Sequence, residues 1–298
     1  MIRAKLNLST RASPWGAVFS HRIMPRMDAV ARHYGVSGLL EAVLEGLRAQ
    51  GKDLERLTPQ DLAPIDEFHI RGREATIELA QLAEVRTGLR VLDVGSGLGG
   101  SARFLVAEHG CHVTGVDLTP EYCEVASALS KLVALDDRTV FRCASALEMP
   151  FDDESFDLAW TQHAQMNIED KPALYREIAR VLRPGGRFAF HDILAGPGGP
   201  PHFPVHWAEE PAMSFLIAPD ALRELLERTG FRVRVWRDTT EVARQWFLNA
   251  WEKRRVTGAP PLGLHLLMGQ TAPSKFANVA KNLVKERITV FQGVLERV

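Results

Sequence analysis

Short runs rich in β-branched residues alternate with amphipathic stretches through the middle of this chain, and this alternation limits the fold more than any other feature. The runs are Arg90 to Val94, His112 to Val116, Thr139 to Cys143, Asp157 to Thr161 and Arg187 to Ile193. Strands that are separated by helices form a parallel sheet with right-handed crossover connections. The sequence therefore predicts an α/β fold whose ligand site lies beyond the carboxyl ends of the strands.

Further segments surround this alternation. Apolar residues recur at intervals of three and four before it, as at Leu39, Val43 and Leu47, so residues 28–86 are predicted to form an N-terminal helical cap. Residues 87–298 are then the core. Within it, glycine and proline from Gly196 to Pro201 open a predicted lid loop over residues 196–215. Residues 1–27, whose Lys and Arg residues have no acidic neighbour, are predicted to be a basic, disordered tail.

The C-terminal part of the core repeats the same signals. Pro219 is predicted to start a helix that ends at Arg228, and the alternating run from Phe231 to Trp236 is predicted to be a sixth strand. Residues 238–286 are predicted to form a helical insertion. The β-branched and aromatic residues of Ile288 to Leu295 then favour a last strand.

The composition of the chain indicates which kinds of molecule it could bind. The chain has 36 Lys and Arg residues against 37 Asp and Glu residues, so no net field favours nucleic acid or an anionic membrane. The three cysteines, Cys111, Cys123 and Cys143, lack the spacing of a metal site and are predicted to be reduced thiols. No apolar run approaches the roughly 20 residues of a membrane span, and no secretory signal is recognisable. We therefore expect a cytoplasmic protein that acts on a small molecule, without nucleic acid, metal or membrane span, and whose oligomeric state is open, a homodimer included.

A glycine-rich loop follows the first predicted strand, in the segment Val91 to Gly100. Glycine permits a tight turn and lets a ligand lie against bare backbone, so this loop is predicted to hold a cofactor. Gly95, Gly97 and Gly100 also match the dinucleotide fingerprint, and Asp117 lies 22 residues after Gly95. The loop by itself therefore leaves a nicotinamide or flavin dinucleotide open.

The position of an acid favours a different cofactor. Asp93 stands two residues before Gly95, where a carboxylate would repel a pyrophosphate but would attract an ammonium or sulfonium group. S-adenosylmethionine carries both of these cations. Asp117, at the end of the second strand, could then accept hydrogen bonds from the ribose hydroxyls.

Four motifs in this order resemble the class I S-adenosylmethionine-dependent methyltransferases of the small-molecule type. They are Leu92-Asp-Val-Gly-Ser-Gly97, Val116-Asp117-Leu118, Met149-Pro-Phe-Asp-Asp-Glu-Ser-Phe-Asp157 and Val181-Leu-Arg-Pro-Gly-Gly-Arg187. The resemblance covers roughly residues 66 to 236. It implies a Rossmann-like, seven-stranded, mostly parallel sheet with helices on both faces and one antiparallel strand. It also implies S-adenosylmethionine as the cofactor and S-adenosylhomocysteine as its product.

The same resemblance assigns roles by position. Ser145 stands where relatives usually have an acid that contacts the adenine amino group, and Ala146 and Leu147 are expected to be walls of the adenine site. The complete predicted set of cofactor-binding residues is Asp93, Gly95, Ser96, Gly97, Gly99, Asp117, Leu118, Ser145, Ala146, Leu147 and Gln162.

The loop after the fourth strand, Thr161 to Asn167, is expected to border the transferred methyl group. His163 in this loop is the first candidate for a base or a positioning residue, and Tyr34 and His69 in the cap are the next candidates. The cap looks like the corresponding segment of sarcosine/dimethylglycine and tocopherol-type methyltransferases. The predicted substrate contacts are Trp160, Met166, Asn167 and Trp207, in which an aromatic face could hold a methylated ammonium.

The sequence says least about which substrate atom accepts the methyl group. No catalytic carboxylate pair or metal cluster is recognisable, which favours an amine nitrogen, because a desolvated amine loses its proton near neutral pH. C- or O-methylation of a phenolic or isoprenoid compound is the alternative, since the lid and the residue that follows it supply the apolar side chains Phe203, Trp207, Phe215 and Leu216. A protein that binds the cofactor without turnover and a dinucleotide oxidoreductase are alternatives from other classes.

Overall fold

Seven strands form one sheet in the computed structural model, which describes residues 33–35, 38–258 and 260–298. In chain order they are β1 (Arg90–Val94), β2 (His112–Asp117), β3 (Thr139–Cys143), β4 (Phe156–Gln162), β5 (Leu182–Ala195), β6 (Phe231–Asp238) and β7 (Ile288–Arg297). Their spatial order is β3-β2-β1-β4-β5-β7-β6, and β7 runs antiparallel to both of its neighbours. The other pairings, from β3 to β5, are parallel. The predicted seven-stranded, mostly parallel sheet is confirmed.

Helices precede, connect and follow these strands. Those that precede β1 form the cap: α1 (Leu39–Ala49), α2 (Pro59–Asp66) and α3 (Gly72–Leu82). Those that connect the strands are α4 (Gly100–His109), α5 (Pro120–Leu132), α6 (Lys171–Val181), α7 (Pro219–Arg228), α8 (Thr240–Thr257), α9 (His265–Met268) and α10 (Ala272–Val284). The last three lie between β6 and β7, where the sequence predicts a helical insertion.

Both faces of the sheet are covered. Successive strand residues point to opposite faces, and the two large hydrophobic clusters separate accordingly, with Val91 in one cluster and Leu92 in the other. The cluster of Val91 includes Leu105 of α4 and apolar residues of the cap, whereas the cluster of Leu92 includes Leu174 of α6 and Leu222 of α7. Strands buried on both faces read as continuous apolar runs, which explains why the sequence marks β1 so clearly.

Some predicted boundaries need correction. β5 begins at Leu182 rather than at Arg187, because Leu182 pairs with Phe156 before the turn at Gly185, whose φ is 73°. The strand predicted from Ile288 extends to Arg297. The basic tail predicted for residues 1–27 lies outside the described residues. Among the described helices, none is both long and apolar enough to cross a lipid bilayer.

The cap is joined to the core by a buried ion pair. Asp66, the last residue of α2, pairs with Arg103 of α4, and the exposed fractions of the two side chains are 1% and 0%. Arg103 also donates a hydrogen bond of 2.7 Å to the carbonyl oxygen of Leu98, in the glycine-rich loop. A Cβ on Gly100 would lie 2.2 Å from the Asp66 carbonyl oxygen, so α2 packs directly against the first turn of α4. The cap is thus held beside the loop that follows β1.

Candidate active site

A cavity of about 690 Å³ lies at the carboxyl ends of β1, β2 and β4. In the sheet, β1 leads outward to β2 and β3 on one side, whereas β4 and β5 lie on the other, so a crevice opens between the loops that follow β1 and β4. Phe68 from the cap and Trp207 from the segment 196–215 cover this crevice. The cavity therefore lies at the edge of the sheet where a parallel fold predicts a ligand site.

The glycine-rich loop forms one wall of the cavity. The Gly95 and Ser96 N–H groups donate to the Val116 carbonyl oxygen at 2.8 and 3.0 Å, which folds the loop back onto β2. Gly97 has a φ of 52°, and a Cβ built on it would meet no atom within 4 Å. The loop therefore presents bare backbone to the cavity, as a cofactor site requires.

Gly99 has a different reason to be glycine. It is not among the described residues that line the cavity, although the sequence predicts it to bind cofactor. Its φ is 81°, and a Cβ there would lie 2.6 Å from the Phe141 ring. Gly99 therefore allows the chain to enter α4 beside Phe141.

Two carboxylates face the cavity from the ends of β1 and β2. Asp93 is 2% exposed, and its Oδ2 has no hydrogen-bond partner among the described residues. Burial, together with the charge of Asp117, raises the pKa of Asp93 to about 7. The Asp117 Oδ2 accepts the Gly97 N–H and its Oδ1 accepts the Thr119 N–H, both at 2.9 Å. Asp117 therefore braces the glycine-rich loop, whereas Asp93 keeps an unused acceptor.

A largely apolar wall adjoins Asp117. Leu118, Ser145, Ala146 and Leu147 all line the cavity, as the sequence predicts. The Ser145 Oγ accepts a hydrogen bond of 3.1 Å from the Leu147 N–H, so this hydroxyl stabilises the turn after β3. The wall can enclose a flat ring without supplying a charge.

Gln162 connects the end of β4 to the cap. Its Oε1 accepts hydrogen bonds from Ser101 Oγ at 2.7 Å and from Trp160 Nε1 at 3.0 Å, and its Nε2 lies 3.0 Å from His69 Nε2. His69 Nε2 also lies 3.1 Å from the Gly72 carbonyl oxygen. Burial lowers the pKa of His69 to about 4. His69 lines the cavity but is engaged by the cap, which suits a structural role better than that of a base.

His163 stands directly after β4, on the cavity wall. Its Nε2 has no hydrogen-bond partner among the described residues, and its ring centroid lies 5.0 Å from that of His191 and 5.9 Å from that of His69. Burial is the main cause that holds the pKa of His163 well below its usual value, followed by the charges of His191 and His69. His163 is therefore a neutral imidazole at physiological pH.

The other predicted residues form a hydrogen-bonded side of the same cavity. Tyr34 donates its hydroxyl to Asn167 Oδ1 at 3.0 Å, and Asn167 Nδ2 donates to the Trp207 carbonyl oxygen at 2.7 Å. Trp207 donates its indole N–H to Ser214 Oγ at 2.9 Å. Met166, 2% exposed, is an apolar part of the wall. The cap, the loop after β4 and the segment 196–215 thus meet at Asn167.

Trp160 is placed elsewhere. It is 0% exposed, packs in the cluster of Val91, and is not among the described residues that line the cavity. Because its indole N–H is used by Gln162, Trp160 holds the end of β4 rather than contacting a substrate. The sequence does not determine which way Trp160 faces, because an aromatic residue near the end of a strand can point either into the hydrophobic core or into the site.

Some residues of the site were not predicted. Tyr122, in the first turn of α5, lines the cavity with a buried hydroxyl that has no partner among the described residues. Asp192 of β5 is 0% exposed beneath the loop that contains His163. The available signal for Asp192 was a charged residue inside a predicted central strand, since such residues are almost never buried without a partner.

Comparison with known proteins agrees with this geometry. Residues 92–190 match the family model described as a methyltransferase domain. A methyltransferase of Streptomyces halstedii is 37% identical over 134 residues, which cover 45% of this chain and 48% of that protein. An O-methyltransferase of Aspergillus nomiae is 33% identical over 182 residues, which cover 57% of this chain and 80% of that protein. The chain therefore spans about half the length of the first relative and most of the second.

A solved structure extends the likeness to almost the whole chain. Geranyl diphosphate C-methyltransferase from Streptomyces coelicolor, in complex with S-adenosylhomocysteine, geranyl diphosphate and Mg²⁺, has a TM-score of 0.66. The match covers 94% of this chain and 100% of that one at 17% identity, so it shows a common fold.

Proposed function

This chain belongs to the class I S-adenosylmethionine-dependent methyltransferases, and we propose that it transfers a methyl group to the hydroxyl oxygen of an uncharged small molecule. The observation that carries the proposal is the neutral His163 on the wall of a cavity whose described lining residues include no lysine and no arginine.

The cavity fits the cofactor of this family. S-adenosylmethionine supplies a methyl group on a sulfonium, whose loss leaves a neutral thioether. Asp93 has a buried carboxylate oxygen without a partner among the described residues, which would accept hydrogen bonds from an ammonium group. Each Asp117 oxygen accepts one backbone N–H and has a second lone pair for a ribose hydroxyl. Leu118, Ala146 and Leu147 would enclose the adenine.

The charge of the lining argues against an anionic substrate. Asp93, Asp117, Glu169 and Asp170 line the cavity, and none of the described lining residues is a lysine or an arginine. Among the described residues, a phosphate or diphosphate would find no lysine or arginine to pair with, and the carboxylates of Asp93, Asp117 and Asp170 would repel it. An uncharged substrate avoids this cost.

His163 favours a hydroxyl over an amine as the acceptor group. A desolvated amine loses its proton without help, whereas a hydroxyl needs a group that takes up its proton, and burial keeps the imidazole of His163 in the neutral form by holding its pKa well below the usual value. A neutral imidazole can accept the hydrogen bond of a hydroxyl and take up its proton as the new bond to carbon forms. His163 would thus act as the general base.

The remaining residues of the cavity align the substrate and enclose it. Methyl transfer is an in-line displacement, so the protein gains most by holding the acceptor atom in position and by excluding water. Tyr34 and Asn167 hold the cap, the loop after β4 and the segment 196–215 together around the cavity. Trp207 and Phe68 give it apolar surface against which a ring or chain could pack.

Relatives support an oxygen acceptor. The relative from Aspergillus nomiae and one from Pyrenophora dematioidea are both named O-methyltransferases. The sequence by itself favours an amine, and phosphoethanolamine N-methyltransferase of Triticum aestivum is 29% identical over 170 residues. N-methylation is therefore the competing outcome of the test below.

The test is to incubate the purified protein with methyl-labelled S-adenosylmethionine and matched phenol, alcohol and amine compounds. Product mass and NMR then identify the methylated atom. We expect label on oxygen, and a loss of about 10²- to 10⁴-fold in kcat for His163→Ala. The exposed His112, at the start of β2, provides the matched control His112→Ala, which should keep full activity. Label on nitrogen alone would contradict the proposal.

A further inference from the structure

The loop after β4 is held from below by a buried carboxylate. Asp192 of β5 is 0% exposed, and its Oδ2 accepts the N–H groups of Ala164 at 3.3 Å and Gln165 at 3.2 Å. Its Oδ1 accepts the Ile193 N–H at 2.9 Å. Ala164 and Gln165 directly follow His163, so two of the three hydrogen bonds of Asp192 fix the backbone next to the proposed base.

This backbone needs to be fixed because it is strained. His163 has a φ of 51°, in the left-handed region that is unfavourable for a residue with a Cβ. The His163 N–H donates to the His191 carbonyl oxygen at 2.9 Å, which anchors the residue on one side only. The anchors on the other side are the N–H groups of Ala164 and Gln165, and Asp192 accepts both.

A buried lysine holds the same loop by its carbonyl groups. Lys171 of α6 is 5% exposed and donates to the carbonyl oxygens of Gln165 at 2.7 Å, Ile168 at 2.6 Å and Phe215 at 2.7 Å. All three donors of its ammonium group are therefore used, and its charge attracts the Asp192 carboxylate. The loop is clamped between the buried carboxyl group of Asp192 and the buried ammonium group of Lys171.

The clamped loop also contacts the glycine-rich loop. A Cβ built on Gly95 would lie 2.4 Å from the Ala164 Cβ, so Ala164 packs directly against the glycine-rich loop. Any shift of residues 163–165 changes the position of His163 relative to that loop.

We propose that Asp192 is a positioning residue for methyl transfer, which acts by holding His163 in its strained conformation beside the glycine-rich loop. This inference rests on the proposed role of His163 as the base. Asp192 itself does not line the cavity, among the described residues, so it does not contact substrate.

The substitution Asp192→Asn tests this role at constant volume. An asparagine has one acceptor oxygen and one NH₂ group. In one orientation its NH₂ group faces the N–H groups of Ala164 and Gln165, and in the other it faces the N–H group of Ile193. In both cases two donors oppose each other. The hold on the loop is lost or weakened without a cavity. Lys171→Met is a second variant that releases the same loop through its carbonyl groups.

A double-mutant cycle separates positioning from general damage. We expect Asp192→Asn to lower kcat about 10- to 100-fold, because a misplacement near 1 Å can have this effect. In the His163→Ala background, the same change should lower kcat less than about 3-fold, because the two residues act as a unit. The matched control is Asp157→Asn, since Asp157 accepts the Arg90 N–H at the opposite end of β4. Additive losses in the cycle would overturn the inference.

Histidine-selective ¹⁵N NMR distinguishes this inference from the proposed function. Asp192→Asn and Lys171→Met should each shift the ring signals of His163, whereas Asp157→Asn should leave them in place. If His163→Ala keeps full kcat, the proposed base and the role of Asp192 in methyl transfer both fail; if His163→Ala loses activity but the His163 signals do not shift, only the inference about Asp192 fails. Unshifted His163 signals in both variants would overturn the inference whatever the activity.

Discussion

Asp66 and Arg103 form an ion pair from which water is excluded, between the last residue of the cap helix α2 and the helix that follows the glycine-rich loop. Arg103 additionally donates to Ser130 Oγ at 3.2 Å and to the Leu98 carbonyl oxygen at 2.7 Å. One guanidinium therefore joins the cap, the glycine-rich loop and α5.

Breaking this pair should be strongly destabilising. Asp66→Asn leaves the Arg103 charge buried without its anion, and removal of one partner of a buried pair typically costs about 3–5 kcal/mol. Urea unfolding should show a loss of this size in the free energy of unfolding. The exposed pair Glu41–Arg48 offers the control Glu41→Gln, for which we expect a change of about 0–1 kcal/mol. Equal effects of the two substitutions would show that the cap does not depend on Arg103.

Cofactor affinity should depend on pH through Asp93. Burial raises the pKa of this carboxyl to about 7, and an ammonium group binds the ionised form. Affinity should therefore be constant only well above pH 7 and should fall as the pH falls through 7, by about tenfold per pH unit well below it. Calorimetry with S-adenosylhomocysteine between pH 5.5 and 7.5 measures this.

The variant Asp93→Asn assigns that pH dependence. It should weaken binding by about 1.5–3 kcal/mol at pH 7.5 and flatten the curve. Burial also raises the pKa of Asp117 and Asp66, which line the same cavity, so any dependence that persists in Asp93→Asn belongs to these other carboxyl groups. A wild-type affinity that does not change over this range would contradict the role given to Asp93.

Gly97→Ala should reduce cofactor affinity without disturbing the packing of the protein. The added Cβ meets no protein atom within 4 Å, and its φ of 52° costs about 1 kcal/mol. Gly185, in the turn within β5, has a φ of 73° and equally open space. Gly185→Ala should therefore lose similar stability, measured by thermal unfolding, and keep full affinity in the same calorimetric assay. Matched affinities of the two variants would mean that Gly97 does not face the cofactor.

The segment 196–215 should loosen when one of its anchors on α10 is removed. Asn282 donates to the His202 carbonyl oxygen at 3.0 Å and accepts the His202 N–H at 2.8 Å. In Asn282→Ala we expect faster hydrogen exchange over this segment and a higher KM for the acceptor substrate. Lys281→Ala, on the exposed side of the same helix, is the control. Unchanged exchange in Asn282→Ala would place the anchor elsewhere.

The strands and the cofactor loop could be predicted because their signals are local. Arg90–Val94 and Thr139–Cys143 have the predicted bounds, and Gly95 and Gly97 line the cavity as expected. A buried strand and a tight glycine turn are each encoded by the side chains of a few consecutive residues. The same holds for Asp93 and Asp117, whose places follow from the ends of β1 and β2.

The roles of the histidines and of Trp160 depended on contacts between distant parts of the chain. The sequence ranks His163 before Tyr34 and His69 as a base but does not show their contacts. The cap engages His69 at Gly72 and Gln162, whereas the imidazole of His163 has a nitrogen without a partner among the described residues. Trp160 is buried under Gln162 because β4 lies in the middle of the sheet.

The α/β fold, the glycine-rich loop and the edge of the sheet where the site lies can all be predicted from local patterns of residues, because periodicity and turn residues act over a few positions. The choice of His163 as the proposed base, and the contacts that hold it, follow instead from long-range packing. Asp192 and Ala164 are 28 residues apart, and Asp66 and Arg103 are 37 apart. Such pairs form only when the sheet has assembled and has removed their charges from water, so no local pattern of residues can specify them.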